Sequence, residues 1–361
     1  MTNPYAASGV DTEAGDRAVE LMKAAVARTH TSGVVGGFGG FTGLFDLSAA
    51  GEYRKPLLAT STDGVGTKIA LAMAIDKHDT IGQDLVGMVV DDIIVAGAKP
   101  LFMTDYIACG KVVPERIADI VRGIAEACEA TGTALVGGET AEHPGLMAED
   151  EYDVAGAAVG IVEADALLGP ERVREGDAVV AMASSGLHSN GFSLVRHVLA
   201  ERGIALTDRV DDLGGVAAEV LLEPTRLYTA PLVQMLADGL PIRALSHVTG
   251  GGIAANLARV LPKGTEVEIA RSWSVPTVFS SLAELGGFGL TDTEGTWNLG
   301  VGMFAVVAAE QADAVVAASE RAGIPAWQAG TVRIGDGVGD GFVQGAKGVD
   351  GGAVRLTGAW G

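Results

Sequence analysis

At 361 residues the chain exceeds the roughly 250–300 residues at which a single core stops growing, so two domains are expected. With 48% hydrophobic and 20% charged residues it has the composition of a soluble globular protein. Its formal net charge of −21 argues against a nucleic-acid surface, which requires clustered Lys and Arg, and leaves an anionic small substrate possible only where a metal, a few cations or helix N-termini offset the field.

The first residues, MTNPYAASGVDTEAGD, carry no basic stretch followed by an apolar one, and no window holds 18 uninterrupted apolar residues. Neither secretion nor membrane insertion is expected. Val35 to Phe41, VGGFGGF, is too glycine-rich for a stable strand and too aromatic for a solvent linker. A flap closing over a nucleotide, with Gly36, Gly37, Gly39 and Gly40 offering backbone donors, is one reading, and a simple connection is the other. The segment is neither a Walker A loop nor GxGxxG, since no GK[ST] follows and position 42 is threonine.

A strand over Pro56–Thr62, buried at Leu57 to Ala59, would deliver Asp63 to the carboxyl edge of a sheet, where α/β folds bind ligands. Asp63, Gly64, Gly66, Thr67 and Lys68 place a carboxylate, two glycines, a hydroxyl and an ammonium within six residues, the groups suited to a magnesium-bound phosphate. An ordinary Asp-Gly turn with a solvated lysine is the competing reading. The helix expected over Thr80–Ala96 sets Asp84, Asp91 and Asp92 near one face among apolar neighbours, costly unless paired or metal-bound, and should stop near Gly97 ahead of Pro100. A strand at Leu101–Ala108 and a helix at Pro114–Thr131 precede a strand at Thr133–Gly137 that runs into Gly138, Glu139 and Glu142. Three element ends supplying carboxylates suit a hard cation, so Mg2+ binding by at least one of Asp63, Asp92 and Glu139 is expected, with surface turns as the alternative. Cys109 and Cys128 form neither a disulfide framework nor a CxxC zinc site, consistent with a reducing cytoplasm.

After a strand at Val154–Val162, the polar stretch Leu168 to Asp177 places a domain boundary near residue 170, giving residues 1–170 and 171–361. The second half opens with a strand at Ala178–Ala183, the turn SSGLHSNG and a helix at Phe192–Arg202. Ser189, Asn190 and Gly191 at that helix N-terminus suit a phosphate or ribose, and His188 is either a cap or a catalytic group. The segment SHVTGGG is parallel in logic: Thr249, Gly250, Gly251 and Gly252 precede a helix at Ile253–Val260 and follow His247. Further helices are expected at Pro224–Ala237, Pro276–Leu285 and Glu310–Ala322, and strands at Glu266–Ala270 and Gly300–Val307. Residues 335–353 are glycine-rich and are expected to form a mobile loop before a short final strand.

In order, GGFGGF, STDGVGTK, DDIIVAGAKP, GGETAEHPG, SSGLHSNG and HVTGGG resemble the phosphoribosylformylglycinamidine cyclo-ligases, the aminoimidazole ribonucleotide synthetases of purine biosynthesis, from about Tyr5 to Ile334. Asp92 through Pro100 fits that family's Asp, four residues, Gly-Ala, one residue, Pro signature, whereas the glycine-rich stretch at 335–353 departs from the family's compact end. The resemblance implies two α/β domains of α+β type. The N-terminal one binds ATP and metal and completes a barrel-like sheet and a cleft in a homodimer; the C-terminal one has a mixed sheet with flanking helices. It implies ATP, Mg2+ and a small formylglycinamidine ribonucleotide substrate, in the cytoplasm, with neither nucleic-acid nor membrane partners. By the same resemblance Asp63, Asp92 and Glu139 hold metal-bridged triphosphate, Lys68 meets phosphate charge, Gly36 to Gly40 form the flap, and His188, Asn190 and His247 lie near the ribonucleotide or reacting formyl group. Thiamine monophosphate kinase, selenophosphate synthetase and a nucleotide-binding module without turnover are the alternatives. No reactive cysteine in the N-terminal glycine-rich segment supports the second of these, and the pair HSNG and HVTGGG favours the cyclo-ligase over the kinase.

Overall fold

The structure, a computed structural model, describes residues 11–36, 42–345 and 347–360. The chain forms two compact units, one extending to Ile93 and including Ala98–Ala164, the other comprising Ile94–Gly97 and the chain from Asp165 onward.

In the first unit a helix at Thr12–Thr29, not anticipated from sequence, is capped by Asp11, whose carboxylate accepts the Glu13 and Ala14 N–H groups at 3.1 Å each. Strands β1 (Val34–Val35) and β2 (Leu44–Phe45) pair antiparallel. The main elements follow: β3 (Pro56–Gly64), helices Ile69–Ala74 and Ile81–Val95, β4 (Lys99–Cys109), helix Pro114–Thr131, β5 (Ala134–Glu142) and β6 (Tyr152–Glu163). They build a four-stranded mixed sheet of order β3-β6-β4-β5, in which β6 is antiparallel to both neighbours and the helix Pro114–Thr131 provides the crossover between parallel β4 and β5. One face is buried through Met103, Ile107, Val154 and Ala158, and the helix Ile81–Val95 lies on it where Gly156 and Gly160 leave room for Leu85 and Ile93.

The opposite face is open, with Leu58 61% and Tyr106 42% exposed. This corrects the expectation of a buried first strand: β3 is an edge strand with only β6 beside it, and alternation sends Leu58 to the uncovered face. The short apolar run Leu57 to Ala59 carries no period that separates the two cases.

The second unit contains β7 (Ala178–Ala183), helix Phe192–Arg202, the short pair β8 (Arg209–Val210) and β9 (Gly215–Val216), helices Ala217–Leu221 and Thr229–Ala237, β10 (Ile242–His247) and helix Gly252–Ala258. After these come β11 (Thr265–Ala270), helix Thr277–Gly286, β12 (Val301–Val307), helix Ala312–Arg321, β13 (Ala326–Ile334), β14 (Val343–Gln344) and β15 (Ala353–Thr357). Seven strands form one mixed sheet, β10-β12-β7-β13-β11-β15-β14, with every residue of β12 buried. Such unbroken apolar runs mark strands covered on both faces. The helix expected from Pro224 begins only at Thr229, because Pro231 is tolerated only in a first turn and the Pro224 carbonyl is taken by the Ser185 hydroxyl at 2.6 Å. Where a mobile loop is expected over residues 335–353, Val343 and Gln344 form a short strand that pairs with Val354 and Ala353.

Candidate active site

Register decides what the first unit brings together. Asp63 on β3, Gly156 on β6, Asp105 on β4 and Gly138 on β5 form one row across the sheet, and Gly64, Ala155, Tyr106 and Glu139 form the next. Asp63 and Glu139 therefore stand on opposite edge strands, three strand spacings or about 14 Å apart. Among the described residues no group of three His, Cys, Asp or Glu side chains is close enough to hold a metal ion. Both carboxylates are exposed, and Asp63 accepts the Gly64 N–H at 2.8 Å.

On the helix Ile81–Val95 the three aspartates part company: Asp84 and Asp91 are fully buried, while Asp92 is exposed. Lys68 also differs from expectation. Its side chain is completely buried and its ammonium donates to Asp84 at 2.8 Å, so it is held inside the fold rather than free at a phosphate-facing surface. Burying an acid in that helix requires a counter-charge, and Lys68 supplies one to Asp84. Gly66 (φ 73°) and Gly36 (φ 90°) adopt left-handed backbone, and Thr67 is exposed beside Gly66. Gly37, Gly39 and Gly40 of the expected flap lie outside the described residues.

Asp105 escaped the sequence reading because it sits in an apolar strand without a motif. Burial pushes its carboxyl up to about 7, against which only a hydrogen bond from its own backbone acts. It helps line a cavity of about 320 Å³ with Met22, Val26, Val121, Leu135 and Glu139.

In the second unit β7 and β10 both run antiparallel to the intervening β12, so their carboxyl ends meet at one edge of the sheet. The turn after β7 (184–191) and the turn after β10 (248–251) thereby come together, and the Asn190 amide oxygen lies 3.3 Å from where a Cβ on Gly250 would be. His188 is buried with φ 60° and its Nε2 accepts the Ser185 N–H at 3.2 Å, which assigns the ring proton to Nδ1. His247 and Ser189 are buried at the same edge, while Asn190, Gly191, Thr249, Gly250 and Gly251 are partly exposed.

Two buried amides absent from the sequence reading hold these turns. Asn298 donates to the Gly186 carbonyl at 2.9 Å and accepts from the Ser184 hydroxyl at 3.1 Å, and Asn256 donates to the Thr249 and Gly252 carbonyls at 3.1 and 2.8 Å. Their signal is weak in sequence, since each lies downstream of its turn and donates its amide to backbone carbonyls, which any residue type supplies.

Residues 50–162 match the N-terminal domain of AIR synthase related proteins and residues 174–340 their C-terminal domain. The chain is 49% identical over 334 residues to the phosphoribosylformylglycinamidine cyclo-ligase of Shouchella clausii (strain KSM-K16), covering 92% of this chain and 96% of that protein. It belongs to the phosphoribosylformylglycinamidine cyclo-ligase family. The cyclo-ligase of Geobacillus sp. (strain WCH70) is 48% identical, over 94% of this chain and 98% of that protein. As a member of the cyclo-ligase family the chain is an enzyme, an ATP-dependent ligase. The fold recurs in a thiamine-monophosphate kinase from Stenotrophomonas maltophilia K279a (18% identity, TM-score 0.62, 94% of this chain and 96% of that one). It also recurs in the hydrogenase maturation protein HypE in complex with ATP (16%, 0.63, 95% and 91%), and both likenesses concern architecture alone.

Proposed function

We propose that this cyclo-ligase converts formylglycinamidine ribonucleotide to aminoimidazole ribonucleotide in de novo purine biosynthesis, in the cytoplasm. The observation carrying the proposal is the near full-length identity of 45–49% to cyclo-ligases, in a chain whose HSNG and TGGG turns meet at one sheet edge. The γ-phosphoryl group of ATP passes to the formamide oxygen, releasing ADP and turning that oxygen into a phosphate leaving group. The amidine nitrogen attacks the same carbon, a proton and phosphate depart, and the imidazole ring closes. No covalent enzyme nucleophile is required, because positioning and charge stabilisation carry phosphoryl transfer. We assign Ser189, Asn190, Gly191 and Thr249 to Gly252 to the ribonucleotide, with His188 and His247 near the formyl group. The unit carrying Asp63, Asp92 and Glu139 we assign to ATP, a reading supported by the ATP complex of HypE, which shares the fold. Lys68 acts there through its buried pair with Asp84.

Within one chain the carboxylates do not fit a common Mg2+, since Asp63 and Glu139 occupy opposite edges of the sheet. Homodimerisation through the open face, with β3 of one protomer beside β5 of the other, is the arrangement that offers Asp63 and the partner's Glu139 to one nucleotide. Asp63 and the partner's Glu139 would hold a metal there, and it would supply charge neutralisation to the phosphates.

Purified protein given ATP and formylglycinamidine ribonucleotide is expected to form ADP and aminoimidazole ribonucleotide in equal amounts. Phosphorylation of thiamine monophosphate instead, or ATP binding without turnover, overturns the assignment. Asp92→Asn is expected to lower kcat by about 10²-fold, and full retention of activity removes Asp92 from the site.

A further inference from the structure

The family match ends at residue 340, yet the chain continues into a hairpin that packs on the far end of the substrate-loop helix and a tail that reaches its near end through Glu294. At the far end of helix Gly252–Ala258, Gly351 packs so closely on the Ala258 carbonyl that a Cβ would overlap it, and the Gly352 N–H donates to the Leu261 carbonyl at 2.9 Å. At the near end, Gly252 (φ 73°) has no room for a Cβ because the Glu294 carbonyl oxygen occupies that space.

The Glu294 side chain is in turn fixed by Arg271 and the tail. Arg271 donates Nε to Oε1 at 2.6 Å and Nη2 to Oε2 at 3.0 Å, and the Trp360 indole N–H donates to Oε1 at 2.8 Å. Arg271 also reaches the Gly358 carbonyl at 2.7 Å and lies 5.9 Å from the Trp360 ring centroid, while Trp273 meets Trp360 edge-on at 4.9 Å and donates to the Leu299 carbonyl at 2.9 Å. A two-pronged guanidinium contact plus an indole donor leaves the carboxylate a single geometry, and with it the backbone against which Gly252 rests.

We propose that Trp360 is a positioning residue for ribonucleotide binding, acting with Arg271 through Glu294 to hold the 249–252 loop in its binding geometry. The inference rests on the assignment of that loop to substrate. Trp360 touches no reacting atom. Its effect belongs in substrate affinity, because a loop left to wander must be reordered on each binding event.

The test compares wild type with Trp360→Phe, which keeps an aromatic ring against Trp273 and removes the indole N–H donor, and with Arg271→Lys, which breaks the two-pronged contact. Each is expected to raise KM for formylglycinamidine ribonucleotide about three- to tenfold, with kcat and KM for ATP changed less than about twofold. Amide hydrogen exchange at residues 249–253 is expected to quicken in both variants while the β12 amides keep their protection. Unchanged KM and unchanged exchange overturn the proposal, as does a fall in kcat at constant KM, which marks loss of folded enzyme only. If the wild type fails to cyclise this substrate, the functional assignment is what fails, and the exchange comparison still decides whether the tail holds the loop.

Discussion

Burial sets the chemistry of single residues more than their type does. Asp63, Asp92 and Glu139 are open to solvent, whereas Asp84, Asp91 and Asp105 are enclosed, although Asp84, Asp91 and Asp92 share one helix and the same apolar neighbours. Lys68 shows the consequence: its charge answers a buried acid sixteen positions along the chain rather than a ligand in solution. Asp105 gives a pH signature. Its folded-state carboxyl titrates at about 7 against an ordinary value of 3.8, so the folded protein retains a proton that the unfolded chain has lost. Stability from this group is fully present below the unfolded value and is lost as pH rises through about 7, a difference of about 4 kcal/mol. Denaturant titrations between pH 4 and 8 are expected to show that slope in wild type and its loss in Asp105→Asn.

At the scale of elements, alternation and capping signals located most helices and strands, including Ala178–Ala183 and Phe192–Arg202 with their observed bounds. Two of the missed strands had ambiguous patterns. Strand β13 carries Gln328 and Gly330, and β10 has Arg243 within a short apolar run, so neither shows a clean period of two. Close approach between elements was also invisible. Gly82 packs on the Gly123–Ile124 backbone where helices Ile81–Val95 and Pro114–Thr131 meet, leaving no space for a methyl group. Gly82→Ala is expected to lower stability by about 1–3 kcal/mol despite its better helix propensity, read as a fall in Tm.

For the whole molecule, the open face of the first unit's sheet carries Leu58 and Tyr106 at 61% and 42% exposure. Apolar side chains left exposed on a sheet face are the kind of surface on which the proposed homodimer would close. A lysine at position 58 places a charge in that surface if two chains close over it, at little cost to a lone chain. Leu58→Lys is accordingly expected to shift the proposed homodimer toward monomer in sedimentation velocity, with secondary structure retained and ATP turnover reduced. A dimer unaffected by the substitution assigns association to another surface.

Taken by itself, the sequence determined the two-unit α/β character, the family and the turns HSNG and HVTGGG, because period, glycine placement and motif order are local properties written along the chain. Tertiary structure alone decided that β3 is an edge, that Lys68 faces Asp84, that Asn256 and Asn298 tie the two turns, and that Asp63 and Glu139 stand on opposite strands. Each of these depends on strand order and burial, and both arise from packing between segments distant in sequence, where neighbouring residues carry no record of which partner will be met.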